Sequence, residues 1–234
     1  MSDQLKSIAF TVAIALVCSL LLTGAATGLK ERKLRNVAVD RQKNILKSVG
    51  LFDPDQQSTV AQIERLYQEK IRCYAMDGSG RIVGGESDAM PVCFYVKDAQ
   101  PAAYIIPVDS RGLWGKIRGY MAIQKDGKTV AGFSVYSHNE TPGLGGEIEK
   151  SWFQENFVGK RIVDEAGDFA AVGIAKGKVA DAIAVDRQAN YVDGISGATL
   201  TGKFLTGGLK EVLLDYEPLS EQFRAGPVSL PAGS

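Results

Sequence analysis

Apolar and polar positions divide the chain into distinct stretches. From Ile8 to Leu29, IAFTVAIALVCSLLLTGAATGL, 22 consecutive residues carry no charge. A helix that crosses a bilayer needs about 20 such residues. After a short segment, 1–7, residues 8–29 are therefore predicted to form one transmembrane helix. A cleaved secretory leader would have an apolar core of only about 7–15 residues. "TGAATG" imitates the small-residue cleavage site of such a leader, but the length of the apolar run favours a retained span. Residues 30–50 follow as a helical connector. Val37, Ile45, Leu46 and Val49 give it a broken apolar stripe, and Gly50 is its stop.

The pattern then changes. Asp53-Pro54 marks a turn. Val60, Ile63, Leu66 and Tyr67 recur at helical spacing. "DGSGRIVGG" is turn-rich and precedes "PVCFYVK", a predicted strand. "IRGYMAIQ" and "KTVAGFSVYSH" flank Lys125-Asp126-Gly127 and predict a β-hairpin with an Asp-Gly turn. "FAAVGIA" and "VADAIAV" predict two more strands around Gly177. A helix over about 200–216 presents Leu205, Leu209, Val212 and Leu213 on one face. Residues 218–234 contain three prolines and are expected to be loose. Helices at the ends and strands in the middle predict an α+β domain over 51–217, an antiparallel sheet flanked by helices.

Composition removes some functions. Lys and Arg total 27 and so do Asp and Glu, giving zero net charge. Binding a phosphate backbone needs an excess of cations, so no nucleic-acid partner is expected. Cys73 and Cys93 show no metal-binding spacing. They are either two packed thiols or, in an oxidising compartment, a bonded pair. Gly24 and Gly28 form a GxxxG pair near the end of the span. It is either incidental or a face for docking other membrane subunits. Lys30, Arg32, Lys33 and Arg35 follow the span, with only Lys6 and the amino terminus before it. By the positive-inside rule the large domain would face the cytoplasm.

Two stretches carry candidate chemistry. In "HNETPGLGGEIEK", 138–150, Pro142 and the glycines force a tight loop and allow close approach to backbone. In "YVDGISGATLTGKF", 191–204, Asp193-Gly194 makes a turn before Ser196, Gly197, Ala198 and Thr199 lead into a helix. A helix start offers unpaired N–H groups to an anion. The plainer reading is a Ser or Asp side chain capping that helix. No P-loop, GxSxG or metal-ligand cluster is present, and His138 is the sole histidine. No catalytic residue and no metal ligand is predicted.

Asp193 to Thr199, DGISGAT, matches the flavinylation motif DxxSGAT, and "ETPGLGGEI" resembles a second signature of the same FMN-binding domain family. With the single span, "PVDSRGLWGKIRGYMAI" and "DGKTVAGFSVYSHNETPGLGGE", nearly the whole chain resembles the C subunits of sodium-translocating NADH:quinone oxidoreductases. The resemblance implies FMN joined by its phosphate to Thr199, with Thr201 as a fallback acceptor. It implies phosphate contacts from Ser196, Gly197 and Ala198. Glu140, Thr141, Gly143 and Leu144 would line the ring system, although Leu144 could equally pack in the core. It further implies an electron-carrying subunit of a bacterial inner-membrane complex, held in lipid, matured by a flavin transferase and facing the periplasm. That last expectation opposes the flanking charges. The G subunits of the related ferredoxin:NAD oxidoreductases share the motif and topology. A non-redox membrane-anchored module, with the SGAT segment as a mere cap, is the rival of another class.

Overall fold

The computed structural model describes residues 3–54, 56–83 and 89–231. The chain forms two compact units, residues 1–40 and 41–234. The first is made by α1, Asp3–Ser48, a helix that runs on into the second unit. No break separates the expected span at 8–29 from the expected connector at 30–50. Gly28 is not a helix breaker in apolar surroundings, and the charged residues after it are good helix formers. At about 1.5 Å per residue the 22 uncharged residues alone reach about 33 Å, the thickness of a bilayer core. Their large side chains are exposed, Leu20 at 73% and Leu22 at 72%.

The second unit is built on a six-stranded antiparallel sheet. Its strands are β1 (Ile71–Met76), β2 (Ile82–Val83), β3 (Met90–Lys97), β4 (Gln100–Arg111), β5 (Lys116–Gln124) and β6 (Val130–Ser137), in the order β2-β1-β3-β4-β5-β6. The hairpin read from Asp126-Gly127 is β5–β6. Of "DGSGRIVGG", Ile82-Val83 form the short β2, and Gly84 and Gly85 lie outside the described residues. Alternation divides the faces. Phe94, Tyr104, Ile106, Met121 and Phe133 point into the main core. On the other face, Ser134 Oγ donates to the carbonyl of Asn44 at 3.0 Å. A Cβ at Gly132 would press on the Ser48 carbonyl, so the end of α1 lies directly on β6. α2, Val60–Lys70, starts at Thr59 with a complete capping box to Gln62 and buries Ile63.

Cys73 and Cys93 sit opposite each other on β1 and β3 and form a disulfide. This decides between the two readings of the cysteines in favour of the bonded pair. The strands expected at 169–175 and 179–185 are largely absent. β7 is only Gly173–Ile174, following a short helix α3 (Ser151–Glu155), and 179–182 is a helical turn, α4. Lys178 sits at the N-cap of α4, and four apolar-rich residues with no strand partner settle into a local turn. β7 pairs in parallel with β8, Tyr191–Val192.

α5, Thr199–Asp215, buries Leu205, Leu209 and Leu213 at spacings of four. Each buried leucine contributes about 1.5–3 kcal/mol. The helix lies so close to β4 that a Cβ at Gly208 would overlap Ser110, whose hydroxyl donates to the Phe204 carbonyl at 3.2 Å. The region expected to be a loose tail instead opens with a helix, α6 (Glu217–Ala225). Pro218 falls in the first turn, where the missing N–H has no intrahelical partner to lose. Leu219 and Phe223 are buried, and the Tyr104 and Ser220 hydroxyls meet at 2.6 Å.

Candidate functional site

Three segments converge at the start of α5. The first is the approach to the helix. Ala175 N donates to Val192 O at 2.9 Å and Gly194 N to Gly177 O at 2.7 Å. Asp193 accepts from Val179 N at 2.8 Å and pairs with Lys178 Nζ at 2.7 Å. The Lys178 contact, with the Val179 N–H, holds the Asp193 carboxyl below its ordinary value. Asp193 therefore fastens the motif to the neighbouring loop and does not cap α5. The chain then turns through Gly197 at φ +75°, where a side chain would be strained. A Cβ there would also meet Leu144 Cδ2 at 2.7 Å, so the two signature stretches touch.

α5 begins without a side-chain cap. Ala198 occupies the N-cap position at φ −118°, ψ 32°, away from the extended conformation that aims a side chain at the first N–H groups. The expected Ser or Asp cap is absent, because Asp193 is held elsewhere and Ser196 is exposed to solvent. Thr199, the first helical residue, is exposed. Thr201 differs sharply: it is 2% exposed and its hydroxyl donates to Glu140 Oε2. The fallback acceptor thus has a buried, occupied hydroxyl.

The second segment follows β6. Glu140 N donates to His138 Nδ1 at 3.1 Å, which leaves the ring hydrogen on Nε2 to meet Glu149 Oε2 at 3.2 Å. The His138 contact, helped by Lys150, holds the Glu149 carboxyl below its usual range. The Thr141 carbonyl accepts from Leu144 N and Gly146 N, closing a tight loop whose apex, Gly143, has φ +74°. Leu144 is 43% exposed, so core packing does not describe it.

The third segment is the β4–β5 turn. Gly112 N donates to Gly115 O at 2.6 Å, and Trp114 N donates to Glu140 Oε1 at 3.0 Å. The Trp114 side chain is 68% exposed.

Together these segments enclose a cleft of about 200 Å³. Of the residues singled out from the sequence, Thr199, Gly197, Ala198, Thr201, Glu140, Thr141 and Leu144 line it, while Ser196 and Gly143 do not. Gly143 sits at the loop apex and Ser196 in the turn before the helix. Leu113, Trp114, Gly145 and Leu200 line it as well. Sequence reasoning gives them no site role. Gly145 and Leu200 fall inside the two candidate stretches, and Leu113 and Trp114 signal only as a glycine-flanked pair, whose place opposite Thr199 is set by tertiary structure. Chemically, the cleft offers an accessible hydroxyl at an uncapped helix start, suited to a phosphate. Beside it stand an exposed indole and leucines, suited to a planar ring. Its volume is below the roughly 300–1,000 Å³ of sites that engulf small molecules. A ligand of nucleotide size would lie largely outside it.

These features define a module with a shallow cleft suited to a phosphate-bearing ligand with a planar ring. The description of the FMN-binding domain family matches residues 112–214, which include all three segments. The chain is 34% identical over 227 residues to the C subunit of the Na(+)-translocating NADH-quinone reductase of Yersinia pestis, covering 84% of this chain and 83% of the relative. It is 33% identical to the corresponding protein of Neisseria meningitidis, covering 84% of each. The crystal structure of the C subunit from Parabacteroides distasonis superposes with a TM-score of 0.71 at 29% identity, over 82% of this chain and 96% of that one. The chain belongs to the family of Na(+)-translocating NADH-quinone reductase C subunits.

Proposed function

We propose that this chain is an electron-carrying subunit of a membrane-bound, sodium-translocating NADH:quinone reductase, and that FMN is joined through its phosphate to the Thr199 hydroxyl. The observation that carries the attachment is the contrast within one turn of α5. Thr199 is exposed at an uncapped helix start, whereas Thr201 is buried and bonded to Glu140. The helix N-terminus stabilises the remaining negative charge of a phosphodiester. Gly197 keeps the approach to that phosphate open. Leu113, Trp114, Leu144 and Leu200 form the apolar wall for the ring.

Bound FMN supplies reversible uptake and release of electrons. The residues of the chain hold and orient it. In a shallow cleft, a covalent tether keeps the cofactor while one side stays open to partner subunits. The chain passes electrons that originate from NADH between those partners and toward quinone. A separate flavin transferase makes the bond; the Glu140 carboxylate in the cleft wall is already committed to Trp114 N and Thr201.

We keep 8–29 as the membrane-crossing segment, in contact with lipid, 30–50 as the connector and 51–217 as the FMN-binding domain. The domain faces the periplasm. The Cys73–Cys93 disulfide favours that side, because such bonds persist in oxidising compartments. It outweighs the basic residues after the span, since partner subunits can orient a single helix. The test is expression with the flavin transferase, followed by denaturing electrophoresis under ultraviolet light. A fluorescent band that disappears in Thr199→Ala supports the reading. A dark wild-type band removes it. The proteins that co-purify separate this complex from the ferredoxin-linked one.

A further inference from the structure

The resemblance places Glu140 in the lining of the ring system, yet its carboxylate is 5% exposed and both of its oxygens are committed. Oε1 accepts the Trp114 N–H at 3.0 Å, and Oε2 accepts the Thr201 hydroxyl. Each carboxylate oxygen thus serves as an acceptor for a different segment. The surrounding backbone is shaped to this group. A Cβ at Gly112 would lie 2.5 Å from Oε1, and one at Gly145 would lie 2.8 Å from Oε2 and 2.5 Å from Thr201 Oγ1. A single buried side chain on the 138–146 loop therefore ties down the Trp114 turn on one side and the first turn of α5 on the other. Among the described residues, no Lys or Arg lines the cleft to neutralise it.

We infer that Glu140 is the positioning residue of the flavin seat, with two consequences. Through Thr201 and Trp114 it fixes the Thr199 hydroxyl against the aromatic wall. Its negative charge, standing in the cleft wall, makes the seated flavin harder to reduce. The inference rests on the FMN reading above. The residue touches neither the attached hydroxyl nor any reacting atom; it acts through its neighbours and through its field. The carboxylate is itself buried, so its field reaches the cleft with less screening than a surface charge would have.

Glu140→Gln separates charge from shape. The amide oxygen still accepts from Trp114 N, and the amide nitrogen can donate to the Thr201 oxygen. The full chain carrying this substitution is flavinylated, and its midpoint potential is measured by dye-equilibrated titration at matched flavin content. The expected result is a positive shift of about 30 mV for a two-electron couple, equal to a tenfold change in the equilibrium ratio. An unchanged potential with full flavin loading overturns the charge assignment.

Thr201→Val and Thr201→Ser test the positioning. Valine removes the donor and is expected to slow attachment at Thr199 by about tenfold, the scale of a hydrogen bond to a charged group. Serine restores the rate. Serine no better than valine overturns the positioning role. A third reading needs no flavin: Glu140→Ala and Thr201→Val are combined in a double-mutant cycle on the unfolding of the flavin-free protein. Coupling is expected, and strict additivity overturns the contact. Wild type that never acquires flavin, alongside a coupled cycle, condemns the FMN reading and leaves the Glu140 joint standing.

Discussion

Two helices of the same domain begin in opposite ways. α2 starts at Thr59, in extended conformation at φ −74°, ψ 155°. Its hydroxyl accepts from Gln62 N at 3.3 Å, and the Gln62 side chain accepts from Thr59 N at 2.8 Å. α5 starts at Ala198, with hydroxyls two residues before it, one after it and three after it. None of them caps it. Ser196 is exposed, Thr201 is drawn to Glu140, and Thr199 stands in solvent. The difference is one of purpose. A hydroxyl that closes its own helix is unavailable to anything else. A helix start without a side-chain cap and beside an exposed hydroxyl suits the phosphate that the proposed function places there.

The largest expected effect is at Thr199. Thr199→Ala abolishes covalent fluorescence while leaving the fold intact, because the side chain is exposed and caps nothing. In-gel fluorescence and a thermal melt read both halves of that statement. Next is Gly197→Ala. A non-glycine residue in the left-handed region costs about 1–2 kcal/mol, and here the new methyl group also displaces Leu144. The melting temperature falls, and attachment slows with it. Smaller, and confined to α2, is Thr59→Ala. Loss of a capping hydroxyl costs about 1 kcal/mol, and denaturant unfolding should show it with flavin content unchanged. A drop in flavin loading there would break the distinction between the two helix starts.

The smallest effect is a pH dependence. The Asp193 carboxyl is held below its ordinary value by Lys178 and Val179. Its folded-state pKa is depressed, so its contribution is fully present above the unfolded value of about 3.9 and is lost as pH falls through the lower folded value. Asp193→Asn should therefore melt lower than wild type at neutral pH, and the two curves should converge below about pH 4.

Local signals are legible wherever chemistry and spacing agree. Asp126-Gly127 between alternating runs marks the β5–β6 hairpin, and the four-residue spacing of leucines marks α5. β4 escapes the pattern because Pro101 and Pro107 interrupt its apolar run, although it pairs along most of its length with β5. The β7–β8 pair is two residues long on each side, below any periodicity. α6 is hidden by Pro218, which looks like a breaker but sits where a helix tolerates proline. At the site, both signature stretches are readable, and the structure brings them into contact. The Trp114 turn is not, because its place opposite Thr199 depends on a hydrogen bond to Glu140, 26 residues away. The motif ranks Thr199 ahead of Thr201, but the contact that occupies Thr201 is out of reach of the sequence. Only burial tells the free hydroxyl from the occupied one.

The central claim is that the Thr199 oxygen carries the phosphate. Trypsin should release residues 188–203 of the flavinylated protein as one peptide holding both threonines. Fragmentation of that peptide in the mass spectrometer assigns the modified residue. The account predicts the FMN mass on Thr199 and an unmodified Thr201; flavin on Thr201, or on neither residue in protein made alongside an active transferase, would contradict it.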